Sequence, residues 1–291
     1  MSSRSGMLRD RRVMVGTVIV GLFLAMAAAP GLFTGEDPAG LALERRLAAP
    51  SAEHWLGTDG VGIDVYTRIV YGARTTLATV VVVLAIAVVV GVSVGSVSGY
   101  VGGWLDGLLM RTTDVFLAFP PLILALATNA VLGRGLRQTM LAVAFLWWPA
   151  YARLVRSQIL SVRKQEFVES ARVIGASRFR IVSRHVLPNV IDPVVVRASL
   201  DAGFVALTAA SLSFLGLGAQ PPTAEWGRMV AEGQKFLLDQ WWVASFPGLA
   251  LLALVVGFNL IGEGLGDRLQ EGAIATDTRF SGTAAGSDRE S

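Results

Sequence analysis

The chain of 291 residues contains no cysteine. That excludes disulfides, thiolate nucleophiles, iron–sulfur clusters and cysteine-based zinc sites. Histidine occurs twice, as His54 and His185, a spacing that gives no metal-ligand motif. Lysine occurs only at Lys164, after Arg163, and at Lys235, after Gln234. A phosphate-binding P-loop needs Gly-Lys followed by Ser or Thr, so that backbone amides and the lysine hold the phosphates. No P-loop can therefore be drawn in this chain. Charge is scarce as well: 16% of residues are charged, against roughly 25% in an average soluble domain. Hydrophobic residues reach 53%. A single soluble domain of this length cannot hide that much apolar surface, and the composition points to a polytopic membrane protein.

Six apolar runs approach the length needed to cross ~30 Å of hydrocarbon. They are Val13–Ala29, Leu77–Val97, Val115–Leu132, Thr139–Ala152, Val194–Leu217 and the stretch around Val243–Ile261. A segment in lipid must satisfy its own backbone, so each run is expected to be helical and the fold all-α. Pro120–Pro121 should bend the third. The fourth is short, and the fifth is interrupted by Arg197 and Asp201. With the N-terminus inside, sixteen of the 25 basic residues fall on the cytoplasmic side and eight outside, so both termini are placed in the cytoplasm. Residues 1–30 also have the outline of a signal peptide, with Ala27-Ala28-Ala29 as a cleavage site. The retained helix is preferred, because the apolar run is long for a leader. The chain divides into residues 1–76 (tail, first helix and extracytoplasmic segment), a five-helix core over 77–270, and a tail over 271–291 whose composition suggests disorder.

The outer segment from Pro30 to Thr76 is polar and turn-rich. Its run Gly57-Thr58-Asp59-Gly60-Val61-Gly62-Ile63-Asp64 fails the EF-hand pattern and is read as turns held by aspartate side chains. The most informative segment is the cytoplasmic loop 153–189, which has the densest positive charge. It reads as a helix, a break at Gly175, a second helix, then Pro188. Phe167, Ala171 and Ile174 share one helix face, with Glu166, Glu169 and Arg172 around it. Such a helix suits docking in a groove of another protein; a loop that meets only lipid headgroups is the plainer alternative.

Intramembrane charges are costly, about 2.5 kcal/mol or more at the bilayer centre, so Arg197 and Asp201 are candidates for a solute pathway or for a structural pair on one helix face. Arg111 and Asp114 are expected to pair at the inner mouth of the third span. Asn259 reads as an interhelical hydrogen bond or a pathway residue. Gly91, Gly95 and Gly99 form a small-residue ridge for close helix packing. Trp147–Trp148 and Trp241–Trp242 read as interfacial anchors. Gly264-Leu265-Gly266-Asp267 matches one motif of intramembrane aspartyl proteases, but the second carboxylate is missing. A self-sufficient secondary transporter is weakened by the lack of a detectable inverted repeat.

Glu169-Ser170-Ala171, three residues, Gly175, nine residues, then His185-Val186-Leu187-Pro188 resembles the EAA loop of binding-protein-dependent ABC importer permeases. Ser170 stands at the second alanine and His185 at the isoleucine. Leu56-Gly57-Thr58-Asp59 with Tyr71-Gly72-Ala73-Arg74, Leu212 to Gly218 with Glu225-Trp226-Gly227, and Phe258-Asn259-Leu260 with Glu263-Gly264-Leu265 are similar to segments of the dipeptide and oligopeptide C-type permeases. The resemblance implies a type I ABC importer transmembrane domain with no catalysis and no cofactor of its own. It also implies partners: a second permease, two nucleotide-binding domains that carry ATP and magnesium, and an extracytoplasmic binding protein. It makes Glu166, Phe167, Glu169, Ser170, Ala171, Gly175 and Ala176, with Leu187 and Pro188, the surface that couples to the ATPase. Peptides are the expected cargo, with nickel, glutathione or another small solute as the alternative, and the cell membrane is the expected location.

Overall fold

A computed structural model describes residues 11–163, 165, 180 and 187–287, the side chains of residues 187, 189 and 269–287 excepted. Eight helices follow one another among the described residues: α1 Arg11–Ala28, α2 Val65–Val101, α3 Gly103–Ala118, α4 Pro121–Leu132, α5 Leu136–Val162, α6 Leu187–Phe214, α7 Trp226–Gly233 and α8 Trp242–Ser287. They contain no strand, only an isolated antiparallel bridge between Thr58 and Asp64.

Three helices, α1, α2 and the Trp242–Arg268 part of α8, are each long and apolar enough to cross a membrane, and α3 with α4 qualifies as a bent pair. The expected third span is therefore not one helix. The chain turns by 97° between α3 and α4. Two consecutive prolines remove two backbone donors, and Phe119 before them takes the extended conformation (φ −87°, ψ 140°) that a residue preceding proline prefers. α5 and α6 have 27 and 28 residues, ample length, but carry charge along their course. Two boundaries also move. The Asp64 carboxylate caps α2 by accepting from Thr67 N–H at 2.7 Å, so that helix starts twelve residues before the expected Leu77 and the division at residue 76 falls inside it. The tail expected to be disordered from Glu271 is helical through Ser287; once a helix is nucleated, each further residue adds a hydrogen bond, and this tail is rich in alanine.

Glycine sets the seam between α2 and α5. A Cβ placed on Gly91 would lie 2.4 Å from Tyr151 Cβ, one on Gly95 2.5 Å from the Ala152 carbonyl oxygen, and one on Gly99 3.1 Å from the Arg156 carbonyl oxygen. The ridge read from the sequence is thus the contact line of these two helices. From this seam an apolar cluster of Ala87, Tyr151, Val155, Ile159, Val162, Val190 and Val194 extends to join α2, α5 and α6. A larger cluster gathers α1, α2, α6, α7 and α8 around fully buried Trp226. Trp226 donates its indole N–H to the Ile69 carbonyl at 3.0 Å and meets Phe23 edge-on at 4.9 Å. Gly72 leaves room for that ring.

Ion pairs link the helix ends. Arg156 of α5 grips Asp106 of α3 with two bonds of 2.6 Å. Arg163 donates to the Gly99 carbonyl at 3.0 Å, a cation on the C-terminal turn of α2. Asp114 pairs with Arg153 at 2.5 Å, not with Arg111 as expected, because the helix α5 lies alongside α3 and its basic face supplies the nearer partner. Arg12 of α1 meets Asp267 of α8 at 2.7 Å, both about half exposed, so the start of α1 and this part of α8 lie on one side. Asp267 is thereby an exposed, paired carboxylate. The anchor reading of Trp241–Trp242 also needs correction. Trp242 is buried, with its indole N–H on the Thr58 carbonyl at 3.2 Å, whereas Trp241 remains half exposed.

Candidate translocation cavity

α6 carries Arg197 and Asp201, the two charges singled out from the sequence. Arg197 lies ten residues beyond Leu187, ~15 Å along the helix at 1.5 Å per residue, and so near the middle of its course. Its Nε donates to Asp201 Oδ2 at 2.9 Å, one turn further on. The two members differ in access: the Arg197 side chain is 50% exposed and that of Asp201 only 6%. They sit in the wall of a cavity of about 560 Å³ bounded by α3, α4, α5 and α6. Phe116, Phe119, Trp147 and Phe204 supply its aromatic lining. Phe116 is braced edge-on by Phe145 at 4.7 Å and Trp148 at 5.4 Å, so Trp148 serves the cavity wall. The break at Pro120–Pro121 helps form the wall by swinging Phe119 and Pro121 toward α6.

Tyr151 lies beneath. It is fully buried in the α2–α5 seam, and its hydroxyl faces the Asp201 carboxylate without meeting hydrogen-bond geometry with any described group. Sequence reasoning missed this residue. Its only signal is its place four residues after Trp147, on the same face of α5.

Of the residues singled out from the sequence, Arg197 and Asp201 come together here. Asn259 does not join them: its carboxamide faces Gly203, where a Cβ would lie 3.4 Å from Asn259 Oδ1, in the α6–α8 contact. Leu187 opens α6, and Pro188 is exposed in its first turn. Glu166, Phe167, Glu169, Ser170, Ala171, Gly175 and Ala176 lie outside the described residues.

A second polar region is built from the segment before α2 and the connection that carries α7. Asp59 organises it. Its Oδ1 accepts from Val61 N–H and Ile63 N–H at 2.9 Å each, and its Oδ2 meets buried Arg68 at 2.5 Å. Arg68 also reaches Glu232 at 3.0 Å. These groups line a second cavity of about 360 Å³ with Arg228, Lys235 and Phe236. Glu225 caps α7, accepting from Gly227 N–H and Arg228 N–H at 2.9 Å each. Burial of its carboxyl raises its pKa above the ordinary carboxylate value, and the hydrogen bonds from Gly227, Ser213 and Arg228 offset part of that rise.

Nearby, the fold gathers Glu36, His54 and Asp64 with ligand atoms within 4.8 Å of one another, a grouping the sequence spacing does not announce. Arg45 Nη1 stands 3.4 Å from His54 Nε2 and can only donate, which leaves the ring proton on Nδ1, 3.1 Å from Asp64 Oδ2. A metal bound at Nδ1 would need the opposite tautomer, with two donors facing each other at Nε2. His54 and Asp64 work as a hydrogen-bonded clasp on the start of α2, with Glu36 close by.

Comparison with known proteins agrees with this architecture. A chain of the MetNI methionine ABC transporter in an inward-facing conformation superposes with a TM-score of 0.56 at 20% identity, covering 67% of this chain and 93% of that one, so the two share the type I fold. A probable D,D-dipeptide transport system permease protein, DdpC of Escherichia coli K12, is 45% identical over 252 residues, 87% of this chain and 84% of the relative. The dipeptide transport system permease protein DppC of Alkalihalophilus pseudofirmus is 41% identical over 90% of this chain and 86% of its own. The glutathione transport system permease protein GsiD of Shigella flexneri is 49% identical over 76% and 73%. Residues 91–273 match the family described as the binding-protein-dependent transport system inner membrane component. On these grounds the chain is a member of that family of ABC transporter permeases and resides in the membrane.

Proposed function

We propose that the chain is one of two permease subunits of an ATP-driven importer of short peptides. The observation that carries this is the 45% identity to a dipeptide permease over most of both chains. The relatives named for D,D-dipeptides, dipeptides and glutathione share a cargo chemistry, a short peptide with a free carboxylate. In this reading the chain crosses the membrane six times with both termini in the cytoplasm. The contact of Arg12 with Asp267, which brings the start of α1 and the late part of α8 to one side, supports it. A second permease closes the cavity of α3–α6, an extracytoplasmic binding protein delivers the cargo to the outer face, and two ATPase domains hold ATP and magnesium. The chain itself catalyses nothing.

The segment 166–177 is the coupling element. Glu169 pairs with a basic group on the ATPase, Ala171 allows close approach, and Gly175 supplies the turn that aims the helix. Closure of the ATPase dimer draws the two coupling elements together, and the permease halves rock as rigid bodies. The tight α2–α5 seam and the Arg156–Asp106 grip make this half rigid enough to move as one body. Gly175→Pro and Glu169→Lys are expected to leave the complex assembled and ATP hydrolysed while uptake of a radiolabelled dipeptide into proteoliposomes falls at least tenfold. Wild-type uptake by both variants would overturn the assignment.

A further inference from the structure

We propose that Arg197 reads the carboxylate of the passing solute, and that Asp201 is the residue that aims it. The inference rests on the reading of the α3–α6 cavity as the pathway and of peptides as the cargo.

Access separates the roles of the two charges. Asp201 is buried and Arg197 half exposed to the cavity, so the guanidinium is the member that an incoming solute can touch. Only its Nε is engaged: among the described residues no hydrogen bond reaches Nη1 or Nη2. A guanidinium held at Nε presents its outer nitrogens as a planar fork, which matches a carboxylate with two parallel bonds. Among the described lining residues the ammonium end of a peptide finds no accessible anion to equal it. Phe116, Phe119, Trp147 and Phe204 offer apolar and aromatic walls that accept many side chains without directional demands. Among the described lining residues the cavity thus offers one exposed charge, for the group that all short peptides share, among mostly apolar walls.

Asp201 serves a second purpose. At this depth an unpaired arginine is expensive, and the pair keeps the resting cavity neutral. The Asp201 carboxylate at Nε already offsets part of the guanidinium's charge, so the contact of the outer nitrogens with a passing carboxylate stays weak enough to release, as transit requires. The buried Tyr151 hydroxyl faces Asp201 and has no other described partner, so it is a donor available to steady the carboxylate while Nε stays bound.

The test uses the complete importer with its partner subunits and binding protein in proteoliposomes. The probes are alanyl-alanine and its C-terminal amide, each at a concentration that saturates the binding protein. The wild type is expected to take up the acid about tenfold faster than the amide, the size of one charge-assisted contact. In Arg197→Gln that ratio falls to about one. Arg197→Lys, which keeps the charge without the fork, gives an intermediate ratio. Asp201→Asn lowers the ratio and Asp201→Glu restores it, a pattern that a purely structural role would not give. A ratio that stays at the wild-type value in Arg197→Gln overturns the proposal. So does loss of complex assembly in that variant, which would make Arg197 an intersubunit contact. Failure of the wild type to move either probe refutes the peptide-importer reading instead.

Discussion

The glycine ridge of α2 makes a graded prediction. Ordinary van der Waals contact begins near 3.4 Å, and a Cβ on Gly95 would lie 2.5 Å from the Ala152 carbonyl oxygen, so α2 and α5 must part by close to the 0.9 Å difference. The obstacle is backbone, which cannot rotate away. Overpacking of this kind costs about 1–3 kcal/mol. Gly91→Ala meets Tyr151 Cβ at 2.4 Å and should cost at least as much; Gly99→Ala, at 3.1 Å, should cost less. Gly107, in the middle of α3, has nothing within 4 Å of its would-be Cβ. Gly107→Ala should therefore be neutral, or stabilising by about 0.5–1 kcal/mol through lower unfolded-state entropy. The assay is a dodecyl sulfate titration of the purified protein in detergent followed by tryptophan fluorescence. The expected order of midpoints, lowest first, is Gly91→Ala, Gly95→Ala, Gly99→Ala, then Gly107→Ala at or above wild type. Four equal midpoints, or Gly107→Ala as the least stable, would refute the claim that this seam is set by backbone approach.

Two further outcomes follow from the region around Asp59 and Glu225. Asp59→Ala removes two turn hydrogen bonds and the nearer partner of buried Arg68. It should cost about 3 kcal/mol in the same titration, the low end for a broken buried pair because Glu232 remains, and Asp59→Asn, which keeps the amide acceptor, should cost less. Glu225 gives a pH signature. Its pKa is raised in the folded state above the ordinary 4.5, so the folded state binds the proton more tightly than the unfolded chain. Its contribution to stability is full below 4.5 and is lost as pH rises through the raised value. Glu225→Gln should flatten that part of the stability–pH curve measured by thermal unfolding; an unaltered slope would argue against burial as the cause.

The all-helical membrane class was written in composition and in apolar run length, and the family in the spacing of Glu169, Gly175 and Pro188. These are local or one-dimensional properties: lipid imposes helicity on any long apolar run, and a motif keeps its spacing whatever surrounds it. The glycine ridge was legible for the same reason, since a four-residue period places Gly91, Gly95 and Gly99 on one face. Other features depended on elements far apart in the chain. Asp114 found Arg153 rather than Arg111 because α5 lies beside α3. Trp242 turned inward because the Thr58 carbonyl waits for its indole. Pro120–Pro121 announced a bend, but only the placement of α3 and α4 beside α5, across from α6, made the break a cavity wall. Arg197 and Asp201 could be paired from their spacing alone. Which of them faces the cavity, and that Tyr151 lies beneath, was decided by the helices that close around α6, because burial is a property of neighbours and not of sequence.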